Sequence, residues 1–168
     1  LDTLSNVRWE RERQPSWNPA SEVPDAIRAL AAATDETGAR AHDRLLHALG
    51  DDGTAAYHPV VLAAVPFLGE LVTSGSAPAR RWSLECLVAL VGAFEPAAGF
   101  EDVDTPEGPK PLKSVLKTRV LEYAEALEEL RADSLFERES KLAADLLAKL
   151  GRAPKGPFKP LKKKVRYS

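Results

Sequence analysis

Apolar side chains recur every three or four residues through most of the chain, which is the spacing of one face of a helix. Six main helices are predicted, over residues 24–33, 36–49, 59–72, 77–94, 112–132 and 135–150, and a short one over residues 1–12. Glycines end two of them, and prolines open the third and fourth. Because residues 1–150 lack the strict alternation of strand hairpins, the predicted fold class is all-α.

Two proline-rich segments interrupt the helices. Residues 13–24 contain three prolines around Trp17, and residues 95–111 contain four prolines. Both are predicted to be loops. The second is long for a compact domain, and loops of that length are often functional.

Part of the helical pattern repeats. Segments that begin with Val-Pro start at Val23 and Val65, 42 residues apart, and the helices that follow them align at an offset of 41. A period of about 40 residues in helical hairpins is the spacing of HEAT and armadillo arrays. Residues 112–150 form a third pair without Val-Pro. We therefore predict a short HEAT-like α-solenoid of about three helical hairpins, in which Pro66 bends its helix.

Charge divides the chain into two parts. Residues 1–150 carry 16 basic and all 25 acidic residues, a net charge of −9, whereas residues 151–168 carry seven basic residues and no acid. The sequence is interpreted as a helical domain over 1–150, with the 95–111 loop inside it, and a basic C-terminal tail over 151–168.

Features of membrane and secreted proteins are missing. The longest apolar run, residues 60–72, contains Pro66 and Glu70 and is shorter than the roughly 18 to 20 residues of a membrane helix. No secretory leader pattern is recognised, and the single cysteine, Cys86, excludes an internal disulfide framework. The expected location is the cytoplasm, with no membrane span.

Motifs in the first 94 residues carry a family resemblance. Trp9-Glu10 is followed by VPDAIRAL and by GTAAYHPVVLAAVPFLGEL, with Gly53, Thr54, Tyr57 and residues 65–68 in order. This arrangement resembles small HEAT-repeat-like proteins of actinobacteria that occur as candidate immunity proteins beside polymorphic toxins. The segment after Trp9 departs from their pattern. The resemblance, over about residues 4–94, implies a HEAT-like scaffold and a protein partner.

Catalytic and metal-binding motifs are not found. His42 and His47 are five residues apart, so they do not share a helix face as an i, i+4 zinc pair would. HExxH, CxxC, GxSxG, GxGxxG and P-loop patterns do not occur. The chain is therefore predicted to be no enzyme, with no catalytic residue, metal ligand or cofactor.

Several side chains are candidates for binding a partner. Arginines at the starts of second helices suit carboxylates, a glutamate stripe suits a basic partner, Trp17 is a candidate exposed anchor, and Tyr57-His58 stand before the third helix. The alternative is that these side chains bind no partner, the charged ones being solvated on the surface and the turn residues being packed against the protein. The candidate set is Trp17, Arg40, Arg44, Tyr57, His58, Arg80, Arg81, Glu122, Glu125 and Glu129.

Two classes of function follow from these observations. The first is a protein-binding module, most concretely an immunity-type protein that neutralises a toxin with a basic surface. The alternatives are a nucleic-acid-binding HEAT-like protein, for example one that acts on damaged bases, and a general cellular scaffold. The net charge of −9 over residues 1–150 disfavours the binding of nucleic-acid phosphate groups. The sequence leaves open the partner's identity, the oligomeric state and whether the tail folds back onto the acidic body.

Overall fold

Helices dominate the computed structural model, which describes residues 1–152. Within that range lie α1 (Glu22–Ala31), α2 (Gly38–Leu49), α3 (Val61–Ser74), α4 (Ala77–Val88), α5 (Leu112–Leu121), α6 (Ala124–Ala132) and α7 (Glu137–Lys149). None of these helices is long and apolar enough to cross a membrane. The tail predicted over 151–168 falls, from residue 153 onward, outside the described residues.

The helices pack as neighbours along the chain. α1 lies against α2, α3 against α4, and α6 against α7. Between these pairs, α4 contacts both α2 and α7, while α3 contacts both α1 and α5. Leucines on the inward faces, such as Leu30, Leu49, Leu68, Leu87 and Leu116, are fully buried in one continuous core.

The prediction of an all-α fold was incomplete, because the structure also contains short strands. β1 (Gly50–Asp51) pairs antiparallel with β2 (Ala56–Tyr57), which pairs in parallel with β3 (Glu95–Pro96). The chain passes closely at Gly50, where a Cβ atom would overlap the carbonyl group of Ala56. Strands of two residues are too short to show a period in the sequence, and the partner of β2 lies about forty residues away.

The segment predicted as a loop over 95–111 is more ordered than expected. After β3, the strands β4 (Asp102–Thr105) and β5 (Gly108–Pro111) form an antiparallel hairpin that leads directly into α5. Gly108 has a φ of 108°, a conformation that glycine adopts without steric cost. The prediction of a loop over 95–111 was therefore wrong for the residues of β3, β4 and β5.

Two predicted helices are divided. Residues 1–12 form two 3₁₀ turns, Leu4–Asn6 and Trp9–Arg11, instead of one helix. The helix predicted over 112–132 is interrupted at Tyr123, whose ring packs against Gly69 and whose hydroxyl donates to the Pro66 carbonyl oxygen (3.3 Å). The helix that the periodicity predicts as continuous is therefore broken at the point where Tyr123 contacts α3.

The predicted fourth helix changes its winding before it ends. After α4, the residues Ala89–Ala93 form a π-helix, and Phe94 then leaves in an extended conformation. π-Helical turns are rare inside regular helices. This turn brings the chain from α4 to β3, and so it determines where the segment after α4 meets β2.

Candidate functional site

Four aromatic rings from separate parts of the chain meet at the surface and are named here the aromatic patch: Trp17, His47, His58 and Phe100. The Trp17 indole stacks on the His47 imidazole, with ring centroids 5.5 Å apart and an interplanar angle of 26°. The His58 and Trp17 rings meet in an edge-to-face arrangement, with centroids 6.3 Å apart and an interplanar angle of 79°, and the centroid of His58 lies 5.0 Å from that of Phe100. Trp17 is 50% exposed, so the patch faces solvent.

Hydrogen bonds fix the loop that carries Trp17. The Asn18 side-chain amide donates to the Ala48 carbonyl oxygen (2.6 Å), and the Trp17 indole nitrogen donates to the His47 carbonyl oxygen (3.4 Å). Further back, the Val60 amide donates to the Arg13 carbonyl oxygen (3.0 Å). The proline-rich loop is thus held against the end of α2 and the start of α3, and Trp17 keeps a defined position.

The small sheet places the other half of the patch. The His58 amide donates to the Leu49 carbonyl oxygen (2.8 Å), and the Ala97 amide donates to the Tyr57 carbonyl oxygen (2.8 Å). A turn closed by the Phe100 amide and the Ala97 carbonyl oxygen then brings Phe100 over His58. The pairing of β2 with β3 therefore determines that Phe100 belongs to the patch.

Tyr57 corrects the predicted set of partner-binding residues. Its side chain is fully buried in the core, and burial raises the pKa of its phenol. Its hydroxyl has no hydrogen-bond partner among residues 1–152. Because the ring has no exposed surface, Tyr57 belongs to the core and not to the surface that a partner would contact.

Carboxylates stand beside the rings. The Asp52 carboxylate lies 3.2 Å from Nδ1 of His47. Hydrogen bonds from Thr54 and from the Gly53 amide lower the pKa of Asp51, so that carboxylate is ionised at neutral pH. The patch therefore combines apolar ring faces with negative charge next to His47.

His58 is half-buried within the patch, between Trp17 and Phe100. Its Nδ1 atom is buried and has no partner among the residues of the described part, and burial lowers the pKa of the imidazole. A neutral imidazole is therefore the form that the folded patch favours.

Most of the predicted arginines are already engaged within the molecule. Arg44 binds the Glu22 carboxylate through two nitrogens (2.8 and 3.2 Å), and Arg81 binds Asp35 (2.9 Å) while lying over the Trp82 ring. Arg80 donates to two carbonyl oxygens at the end of α3. Arg40 is exposed and makes no ion pair within residues 1–152. These arginines do not form one open basic surface.

The predicted glutamate stripe is exposed. Glu125 and Glu129 lie on α6, whereas Glu122 lies at the junction before it. No ion pair involves these three side chains within the described part of the chain. Their carboxylates are thus available to a basic partner, on helices other than those that form the aromatic patch.

Sequence reasoning found only part of the patch. It identified Trp17 and His58, but it missed His47 and Phe100, which come from the last turn of α2 and from the segment after β3. Their contacts depend on chain segments about 30 to 50 residues apart, and no local pattern marks them.

Other reactive groups are dispersed or buried. Residues 1–152 contain no group of three or more His, Cys, Asp or Glu side chains placed to hold a metal ion. Cys86 is fully buried in the core, and burial raises the pKa of its thiol, which keeps it in the unreactive protonated form.

Comparisons of the chain with models of known families, with curated proteins and with solved structures find no match.

Proposed function

We propose that this chain is a non-enzymatic protein-binding module of the cytoplasm, and that it acts as an immunity-type protein by binding and neutralising a toxin. The observation that carries the proposal is the half-exposed Trp17, which the rings of His47 and His58 and a hydrogen-bonded loop hold in place. Exposed tryptophans on rigid supports are typical anchors of protein interfaces, because little conformational entropy is lost on binding.

The arrangement of the helices supports a HEAT-like scaffold for this function. α1 and α3 pack together, as do α2 and α4, so that successive hairpins stack in two layers. Such stacking leaves extended surfaces for partners. The short sheet and the β4–β5 hairpin are additions to the repeat, and the first of them builds part of the aromatic patch.

Charge favours a basic protein partner over nucleic acid. Residues 1–152 carry 17 basic and 25 acidic residues, a net charge of −8. The ion pairs of Arg44 and Arg81 reduce the positive charge that those arginines could offer to phosphate. Toxins that cleave nucleic acid have basic clefts, and an acidic inhibitor is steered toward them.

The test is co-expression with the product of the adjacent gene, followed by pull-down and growth rescue. The proposal expects co-purification and restored growth. Trp17→Ala is expected to weaken the complex by about 2 kcal/mol, roughly 30-fold, without unfolding the protein. Leu135→Ala is the matched control, since Leu135 is 85% exposed in the α6–α7 turn, outside the aromatic patch.

Salt provides a second readout on the same complex. Because the partner is expected to be basic, the association rate constant should fall between low and high ionic strength, while the dissociation rate constant changes less. The absence of both co-purification and growth rescue would contradict the proposed function. If the complex forms but its association rate constant does not change with salt, only the proposed electrostatic steering is contradicted.

A further inference from the structure

An open cleft among the described residues lies apart from the rings of the aromatic patch. It has a volume of about 500 Å³ and lies between the second 3₁₀ turn, the start of α3, β4 and α5. Leu62 and Val103 contribute apolar surface. Its charged residues are Arg11, Glu12, Arg13, Asp102, Asp104 and Arg119.

Those charged side chains form no ion pair or hydrogen bond of their own within the described residues. Twelve ion pairs are found within residues 1–152, but none of them involves one of these six residues, and their side chains make no hydrogen bond there. Three cations and three anions thus line one open cleft without forming ion pairs with one another. A ligand that carries both signs of charge would match them.

The hydrogen-bonding pattern of the hairpin shows which backbone amides and carbonyls of β4 face β5 and which face outward. The Leu112 amide donates to the Glu101 carbonyl oxygen (2.8 Å), which makes Glu101 and Leu112 a hydrogen-bonded pair. Such pairs alternate with non-hydrogen-bonded ones in antiparallel strands. Val103 and Thr105 therefore bond to β5, whereas the amides and carbonyls of Asp102 and Asp104 point away from it.

The two outer edges of the hairpin differ in what they can donate. The outward positions of β5 are Pro109 and Pro111, which pair with Asp104 and Asp102 and have no N–H group. Proline at an edge blocks pairing with a further strand. The outward positions of β4 keep both N–H groups, and no backbone hydrogen bond among residues 1–152 uses them.

We propose that this cleft binds an extended segment of a partner protein, which pairs with the outer edge of β4 as an added strand. The free amides and carbonyls of Asp102 and Asp104 supply the main-chain hydrogen bonds, and the unpaired charges favour a segment with acidic and basic side chains in alternation. This interaction is separate from the aromatic patch and does not depend on the proposed toxin partner.

The test measures binding of a blocked nine-residue peptide in which every second residue is threonine and the others alternate between lysine and glutamate. The protein is the full chain, labelled with ¹⁵N and followed by NMR. Asp104→Ala removes the carboxylate but keeps the N–H group, whereas Asp104→Pro removes both. Asp104→Pro is expected to bind the peptide about tenfold more weakly than Asp104→Ala, with the largest shifts at the amides of β4 in the wild-type protein.

Charge is tested with two further peptides, in which all charged positions are lysine or all are glutamate. Both are expected to bind more weakly than the mixed peptide. The pair Asp102→Ala and Asp102→Pro repeats the comparison in case Asp104→Pro fails to fold. Equal affinities of the alanine and proline variants, or no binding of the mixed peptide, would overturn the proposal. Protection of the Asp104 amide from exchange in the protein alone would also overturn it, because the edge would then already be occupied.

Discussion

Gly69 shows how one missing side chain determines a helix contact. A Cβ atom there would overlap the ring of Tyr123, which packs on α3 at this point. Helix propensity alone predicts that Gly69→Ala stabilises the protein by about 1 kcal/mol. Overpacking costs about 1 to 3 kcal/mol, so we expect net destabilisation in urea unfolding.

A double-mutant cycle separates the two effects at Gly69. In the Tyr123→Ala background the ring is gone, so Gly69→Ala is expected to stabilise by about 1 kcal/mol. A change of sign between the two backgrounds identifies the ring contact as the cause. The same sign in both would mean that Tyr123 does not limit the size of residue 69.

His58 is expected to make stability depend on pH. Burial lowers its pKa below the usual value of about 6.5, so the unfolded chain binds more protons near that pH. The stabilising effect of the neutral imidazole is complete above pH 6.5 and decreases as the pH falls toward the folded-state pKa. An NMR titration of the ring protons should give a pKa below 6.5, and His58→Gln should lose this part of the pH dependence between pH 7.5 and 5.5. A pKa above 6.5 would contradict the prediction.

At the scale of elements, α4 has the one side-chain N-cap found among the helices of residues 1–152. The Ala79 amide donates to the Ser76 hydroxyl oxygen at 3.3 Å. Ser76→Ala is expected to lower the free energy of unfolding by about 0.5 to 1 kcal/mol, since the bond is long.

The control for the Ser76 cap is the same substitution two residues earlier. The Ser74 hydroxyl donates to the Glu70 carbonyl oxygen four residues back, a bond that adds little to helix stability. Ser74→Ala should therefore change the unfolding free energy by less than about 0.5 kcal/mol. Equal effects of the two substitutions would contradict the assignment of Ser76 as the cap.

The helices were predictable because their signals are local. Apolar positions at helical spacing, together with glycine and proline at the ends, indicate α1, α2, α3 and α7 to within a few residues, and they indicate the start of α4 but not its change to a π-helix at Ala89. The break at Tyr123 was not predictable, since it depends on Gly69 more than fifty residues away. The strands were missed for a related reason: β1, β2 and β3 are two residues each, and the prolines of β5 are typical of loops.

The aromatic patch illustrates the same limit at a site. Trp17 stood out because a large aromatic residue in a proline-rich loop has little local reason to be buried. His47 and Phe100 join it only because α2 ends beside the loop and β3 pairs with β2. Tyr57 was misplaced as a surface contact, since its position before a helix gives no sign that it lies in a strand with its side chain in the core.

At the scale of the whole molecule, one core links all the helices. Buried residues form a single cluster from Leu4 to Leu147, and α4 contacts helices on both sides. A long repeat array can unfold in stages, because each repeat touches only its neighbours. Here the shared core and the central position of α4 favour a single transition.

Unfolding should therefore be cooperative across the first and last helices. The three tryptophans of the chain lie at or before Trp82, so fluorescence reports on the N-terminal half, while far-UV circular dichroism also reports on α5 to α7. We expect both probes to give the same urea midpoint. An earlier midpoint by circular dichroism would mean that α5 to α7 unfold first, and the contact of α7 with α4, including the Arg138–Glu85 ion pair (3.2 Å), would then be weaker than the packing implies.

Leu146→Ala, which creates a cavity in α7, should destabilise by about 2 to 5 kcal/mol and shift both midpoints together, because a cooperative fold transmits a local loss to every element.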